Sequence, residues 1–134
     1  MTALEIGSVV AIYAAVAGYR KYHLCLTLAV EGGAAAKFLF INSDSRFEDT
    51  YPVPNDRVDC IPPNDTGESC FSFSMVPRYN ADQLVNFNAK VIGEISLELA
   101  QELRDFANGV RSLARADLEA VKLALDAIIA RLSE

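Results

Sequence analysis

The sequence predicts an α+β domain, with strands first and helices last. Three observations carry this. Residues 21–30 and 70–75 alternate side-chain type at period two, which is the spacing of a β-strand. From Ile95 onward, apolar residues recur at steps of three and four, which is the spacing of a helix with one buried face. A chain of 134 residues with 51% hydrophobic residues is long enough for one domain with its own core.

The first strand is expected over Ile6–Ala14, rich in Ile, Val and Tyr, with Gly18 in the loop that follows. The second covers Lys21–Val30. Tyr22, Leu24, Leu26, Leu28 and Val30 fall on one face, and Lys21, His23, Cys25 and Thr27 on the other. Glu31-Gly32-Gly33 signals a hairpin, because glycine reaches the positive φ of a tight turn. The third strand covers Lys37–Ser43 and ends in the polar pair Asn42 and Ser43.

Asp44–Gly67 contains Pro52, Pro54, Pro62 and Pro63 among many Asn and Asp residues. Proline has no backbone donor, so this segment reads as a long loop near 44–67 with a short strand around Val58–Ile61. In Cys70–Met75, Phe71, Phe73 and Met75 fall on one face and Cys70, Ser72 and Ser74 on the other; Pro77 ends the strand. Lys90–Glu94 is a last short strand, which closes a strand region of about residues 5–94.

Helices are expected over 96–133. Ser96 serves as N-cap, and Glu98 sits in the first turn, where a carboxylate complements the helix dipole. Ile95, Leu99, Leu103, Phe106, Val110 and Leu113 form one stripe, and Leu118, Val121, Leu125, Ile128 and Leu132 a second. The step of five between Leu113 and Leu118 shifts the stripe around the axis. Asn108-Gly109 offers a C-cap and Asp117 a new N-cap, giving two helices or one kinked helix. Packing against the strands is the expected use of these stripes, ahead of an intermolecular coil.

The formal net charge is −6, which excludes a broadly basic nucleic-acid surface. The charge is uneven: +1 over residues 1–40, −4 over 41–93 and −3 over 94–134. No apolar run reaches the roughly 18–20 residues of a membrane span, and the Val9–Ala17 stretch lacks the basic flank of a signal peptide. Cys25, Cys60 and Cys70 are read as reduced thiols of a cytoplasmic protein. With a single histidine and no CxxC pair, neither a metal nor another cofactor is expected. Asp44, Glu48 and Asp49 lack calcium-loop spacing and read as a solvated loop. There is no G-x-S-x-G elbow and no P-loop.

The local feature with most chemical content is the Lys21, His23, Cys25, Thr27 face. Lys21 and His23 lie about 7 Å apart on one side of a strand. A cation beside an imidazole suits phosphodiester cleavage, which needs a base for the 2′-hydroxyl, an acid for the leaving oxygen and positive charge for the phosphorane. A surface or merely hydrogen-bonded histidine has the same pattern.

The order of elements adds to this. Ile6-Gly7-Ser8-Val9-Val10 opens the first strand. Arg20-Lys21-Tyr22-His23-Leu24-Cys25-Leu26 and Phe38-Leu39-Phe40-Ile41-Asn42-Ser43 follow. Ser69-Cys70-Phe71-Ser72-Phe73-Ser74-Met75-Val76-Pro77-Arg78 comes after the long loop. Lys90-Val91-Ile92-Gly93-Glu94-Ile95-Ser96 leads into a helix. Over roughly residues 5–107 this resembles the PemK/MazF-like toxins of type II toxin–antitoxin systems. The resemblance implies an SH3-like small β-barrel followed by C-terminal helices, often dimeric. It also implies a metal-independent endoribonuclease that cleaves single-stranded RNA and is neutralised by a cognate antitoxin protein.

Carried over by position, Lys21 is the catalytic cation, with Arg20 as the alternative, and Ser43 the hydroxyl at the end of the third strand. The family has Arg-Pro where this chain has Lys21-Tyr22. His23 has no counterpart in the best-known members, and the residue reading adds it as the base. Arg20, Lys37, Asn42, Arg46, Ser72 and Ser74 are the RNA-binding candidates, and Tyr13, Tyr19 or Tyr22 could stack on bases. The alternative function is a non-catalytic SH3-like barrel acting as a protein-binding or dimerisation module.

Overall fold

The computed structural model describes residues 3–14, 19–29 and 35–134. The expected loop at Gly18, the strand end at Val30 and the Glu31-Gly32-Gly33 hairpin lie outside these residues. The elements run β1 (Ser8–Ala14), β2 (Tyr19–Thr27), β3 (Ala36–Asn42), β4 (Thr50–Pro54), a 3-10 turn (Asn55–Val58), β5 (Glu68–Ser72), β6 (Arg78–Tyr79), α1 (Ala81–Asn86), β7 (Lys90–Glu94), α2 (Leu97–Ala107) and α3 (Arg115–Leu132). The fold is α+β, as the two periodicities predict.

All strand pairs are antiparallel, in the order β4-β5-β3-β2-β1-β7, with β6 alongside the start of β3. Tyr22 pairs with Ile41 and His23 with Phe40, while Asn42 pairs with Cys70. Among the described residues β4 and β7 are the two ends of this path, so strand pairing does not close the barrel that the resemblance implies. The chain after the 3-10 turn covers the gap instead. Val53, Val58 and Ile61 share one apolar cluster with Val9, Leu24 and Ile95, and Cys60 lies against β7 at Gly93.

That contact explains the glycine. A Cβ at position 93 would lie 2.7 Å from both the Cβ and the Sγ of Cys60, and one of the two atoms is tied to backbone. Gly93→Ala is expected to destabilise the protein by about 1–3 kcal/mol through overpacking. Denaturant midpoints measure this, and Cys60→Gly in the same chain should recover much of the loss. An unchanged midpoint for Gly93→Ala would refute the close approach.

The main core lies between one sheet face and the helices. Leu24, Leu26, Leu39, Phe71 and Phe73 meet Leu99, Leu103, Val121, Leu125 and Ile128, all at most 2% exposed. The helical stripes therefore pack on the strands. Burying each such side chain contributes about 1.5–3 kcal/mol. Ser96 caps α2 by accepting the Leu99 N–H at 3.1 Å. The break resolves into two helices, but Ala114, not Asp117, precedes the first turn of α3, and it makes no side-chain cap bond. Asp49, with φ of 52°, accepts the backbone N–H groups of Arg111 and Ser112 at 3.0 and 2.8 Å. It ties the α2–α3 connection to the start of β4. Tyr51 donates its hydroxyl to Glu102 at 2.7 Å, and Arg57 pairs with the same carboxylate, which pins α2 to the β4 edge.

The polar face expected of β2 is corrected. A second apolar cluster of Val10, Ile12, Cys25, Ala36 and Phe38 fills that side and is covered by Tyr79, Leu84 and Phe87 from β6 and around α1. His23 is 1% and Cys25 0% exposed. A thiol packs as a small apolar group, and an imidazole can be buried when both nitrogens find partners. On the other face, Leu28 is 40% exposed.

The long loop is also corrected, since it holds β4. Pro52 and Pro54 sit on a strand at the end of the pairing path, where a missing N–H breaks no ladder on the open side. Val58–Ile61 does not form a strand: Val58 closes the 3-10 turn, and Val58 and Ile61 point into the core. Met75, placed by alternation with Phe71 and Phe73, lies beyond β5 and is 54% exposed. No helix among the described residues is long and apolar enough to cross a membrane.

Candidate functional site

The sheet register builds a cleft at one end of β2 and β3. Pairing Tyr22 with Ile41 places Lys21 and Asn42 side by side. Pairing Asn42 with Cys70 brings Ser69 opposite Ser43. The chain leaves β3 through Ser43, Asp44 and Arg46, and the Ile61–Asn64 segment closes the far wall. The resulting cleft has a volume of about 380 Å³ and is lined by Arg20, Lys21, Asn42, Ser43 and Arg46, together with Tyr22, Phe47, Asn64 and Ser69. Five of the catalytic and RNA-binding candidates therefore share one cavity, together with Tyr22 and Asp44.

Three cationic side chains face this space in a chain of net charge −6. Lys21 is half-buried, with its Nζ 4.3 Å from the centroid of the Phe40 ring, a cation–π distance. Arg46 holds the Asp44 carboxylate through Nε at 3.0 and 3.1 Å and through a second nitrogen at 2.7 Å. These bonds hold the Asp44 carboxyl below the usual carboxylate range, and the Lys21 charge adds to the effect. Arg20 is exposed.

The opposite wall is polar and internally braced. Ser69 is 1% exposed and accepts from Asn55 Nδ2 at 3.1 Å. Asn64 donates its side-chain amide to the Glu68 carbonyl at 2.7 Å. Thr66 binds the Ser43 carbonyl, tying this wall to the end of β3. The Ser43 side chain itself is exposed in the cleft.

His23 stands apart from the cleft. Its Nδ1 lies 3.0 Å from the Lys21 carbonyl oxygen and its Nε2 3.1 Å from the Tyr79 hydroxyl. A carbonyl only accepts, so Nδ1 carries the proton and Nε2 accepts from Tyr79. Burial pushes its pKa down to about 4, and the nearby Lys21 charge acts in the same direction. Lys37 lies at the opposite end of β3, where it pairs with Arg78. Ser72 is 1% exposed, with its Oγ 2.9 Å from that of Ser74. None of these four lines the cleft. Tyr13 is 42% exposed and also lies elsewhere.

Phe47, Asn64 and Ser69 were not singled out in the sequence. Phe47 is 50% exposed at the cleft. An aromatic directly after an arginine in a polar loop is a readable pattern, and here the Arg46 guanidinium lies 5.9 Å from the centroid of the Phe47 ring. Asn64 and Ser69 offered no local signal, since the return of β5 to β3 alone brings them in.

Among the described residues no group of three or more His, Cys, Asp or Glu converges to hold a metal ion. Burial raises the pKa of Cys25 to about 12 and of Cys70 to about 11, which makes them poor nucleophiles. The cleft lining brings together three cations, the Asp44 carboxylate, neutral hydrogen-bonding groups and an exposed ring. No protein-family model, curated protein or solved structure matches the chain.

Proposed function

We propose that this chain is a toxin-type endoribonuclease that cleaves single-stranded RNA without metal and is neutralised by a cognate antitoxin. The observation that carries it is the gathering of Arg20, Lys21, Arg46, Asn42 and Ser43 with exposed Phe47 in one cleft. In this reading the coiled antiparallel sheet is an SH3-like barrel left open between β4 and β7.

The chemistry asked of the site is attack of a ribose 2′-hydroxyl on the adjacent phosphorus. The phosphorus–oxygen bond to the next nucleotide breaks, the proton of the 2′-hydroxyl passing to water and the departing oxygen taking one from water, which leaves a 2′,3′-cyclic phosphate and a 5′-hydroxyl. Lys21 offsets the charge that builds on the non-bridging oxygens, and Ser43 hydrogen-bonds one of them. His23 is buried with both nitrogens engaged, so its contribution is indirect.

The direct test is incubation of purified protein with unstructured RNA in EDTA. Cleavage with cyclic-phosphate ends is expected. Intact RNA beside folded protein would sink the enzyme reading, and complete inhibition by EDTA would sink the metal-independent part. Phe47→Ala is expected to weaken binding of a short RNA by about 1–3 kcal/mol, the worth of one base–aromatic stack. Fluorescence anisotropy measures this, and an oligonucleotide lacking the stacked base should show little difference between the two proteins.

A further inference from the structure

Behind the cleft lies an aromatic stack that ends on the lysine. Tyr79 of β6 meets His23 of β2 edge-on, with centroids 5.5 Å apart. His23 meets Phe40 of β3, its partner in the register, at 5.0 Å. The Lys21 ammonium sits 4.3 Å from the centroid of that same Phe40 ring. His23 also donates to the main-chain carbonyl of Lys21 at 3.0 Å. The stack therefore touches Lys21 twice, at its backbone through His23 and at its charge through Phe40.

A lysine has four side-chain torsions, and ordering it on a ligand forfeits their entropy. A ring placed against the ammonium removes part of that loss before any ligand arrives, which is preorganisation. Phe40 cannot swing away freely. His23 packs against it, and His23 is itself fixed by Tyr79 and by the Lys21 carbonyl, with 1% of its surface exposed.

We propose that Phe40, backed by His23 and Tyr79, is a positioning residue that fixes the Lys21 ammonium at the wall of the cleft. This rests on the reading of the cleft as an RNA site, although the positioning itself can be observed without RNA.

Nuclear magnetic resonance of lysine-labelled protein provides the first readout. A methylene beside a ring face is shifted upfield, so the Lys21 Hε signals should stand upfield of those of Lys37, Lys90 and Lys122. Phe40→Leu should return them to the common range, while Phe40→Tyr, which keeps the ring, should leave them in place. The second readout is kcat/KM on single-stranded RNA. Phe40→Leu should lower it roughly 2- to 30-fold, the span of a cation–π contact, and Phe40→Tyr should restore it. In a Lys21→Ala background Phe40→Leu should add no further loss, because its effect passes through the lysine.

An unshifted Lys21 signal in the unmodified protein would overturn the proposal. So would a Phe40→Leu loss of equal size with and without Lys21, since that describes packing alone. A shifted signal lost in Phe40→Leu, in a protein that leaves RNA intact, supports the positioning and removes the RNA reading.

Discussion

Lys21→Ala is expected to slow RNA cleavage by about 10²- to 10³-fold, the usual cost of deleting one preorganised group that stabilises transition-state charge. Of the three cleft cations, Arg46 is occupied with Asp44 and Arg20 is exposed. Lys21 is half-buried and adjacent to Asn42 and Ser43, and its ring contact, 4.3 Å to Phe40, is closer than the 5.9 Å of Arg46 to Phe47. Its charge is therefore the one least screened by water and least in need of reordering. Lys21→Arg should recover only part of the rate, because arginine keeps the charge and stacks on aromatic faces but its planar guanidinium does not occupy the position of the ammonium. Removing a phosphate contact should also flatten the dependence of RNA affinity on salt, by roughly 0.7 in the logarithmic slope for a single strand. Single-turnover rates at two salt concentrations test both expectations. A Lys21→Ala protein that cleaves at the unmodified rate would show that the cation lies elsewhere.

The net charge of −6 is compatible with this site because of where the charges fall. Residues 1–40 carry a net +1, and β2 from this segment supplies two of the three cleft cations. The third, Arg46, comes from the acidic middle segment and brings Asp44 with it. In the proposed RNA reading, competition between the Asp44 carboxylate and an incoming phosphate for Arg46 would leave Lys21 and Arg20 as the first contacts.

Much of the fold was legible because local patterns and tertiary burial agree. Lys90–Glu94 is a strand with the expected bounds, and the stripes from Ile95 to Leu132 lie in or against the core. Legibility failed where a residue's meaning depends on what lies across from it. Pro52 and Pro54 read as loop until β4 is known to end the pairing path. Asn80-x-x-Gln83 is a capping box, with Gln83 N–H donating to Asn80 Oδ1 at 2.8 Å and Asn80 N–H to Gln83 Oε1 at 2.9 Å. That motif could have announced α1, whose neighbourhood covers the second sheet face. Without α1, the Lys21, His23, Cys25, Thr27 face reads as solvated; with it, only its Lys21 end opens to the cleft. The candidate site followed the same rule. Residues contiguous with the end of β3 were readable, whereas Asn64 and Ser69 depend on the return of β5.

Acidification from pH 6.5 to about 4 is expected to remove about 3 kcal/mol of stability through His23 alone. Its folded pKa, about 4, lies below the unfolded 6.5. As pH falls through this window the unfolded chain takes up a proton that the folded chain refuses, so the equilibrium moves toward unfolding. The contribution is complete above pH 6.5, shrinks as pH falls, and stops changing below the folded value. Carboxylates act in a different range. Glu102, bonded to Arg57 and Tyr51, and Asp49, bonded to the α2–α3 connection, are held below their ordinary values. Their contributions are lost as pH falls from the ordinary carboxylate values toward the lower folded ones, so the upper part of the window belongs to the histidine. Denaturant midpoints measured from pH 7 to pH 4.5 should fall steadily in the unmodified protein. His23→Leu should be less stable at pH 7, because it leaves the Tyr79 hydroxyl and the Lys21 carbonyl without their partner. Its midpoint should nevertheless stay nearly flat across the same interval, because the titrating group is gone. A slope equal to that of the unmodified protein would show that other groups carry the acid sensitivity and that His23 is not held neutral by its burial.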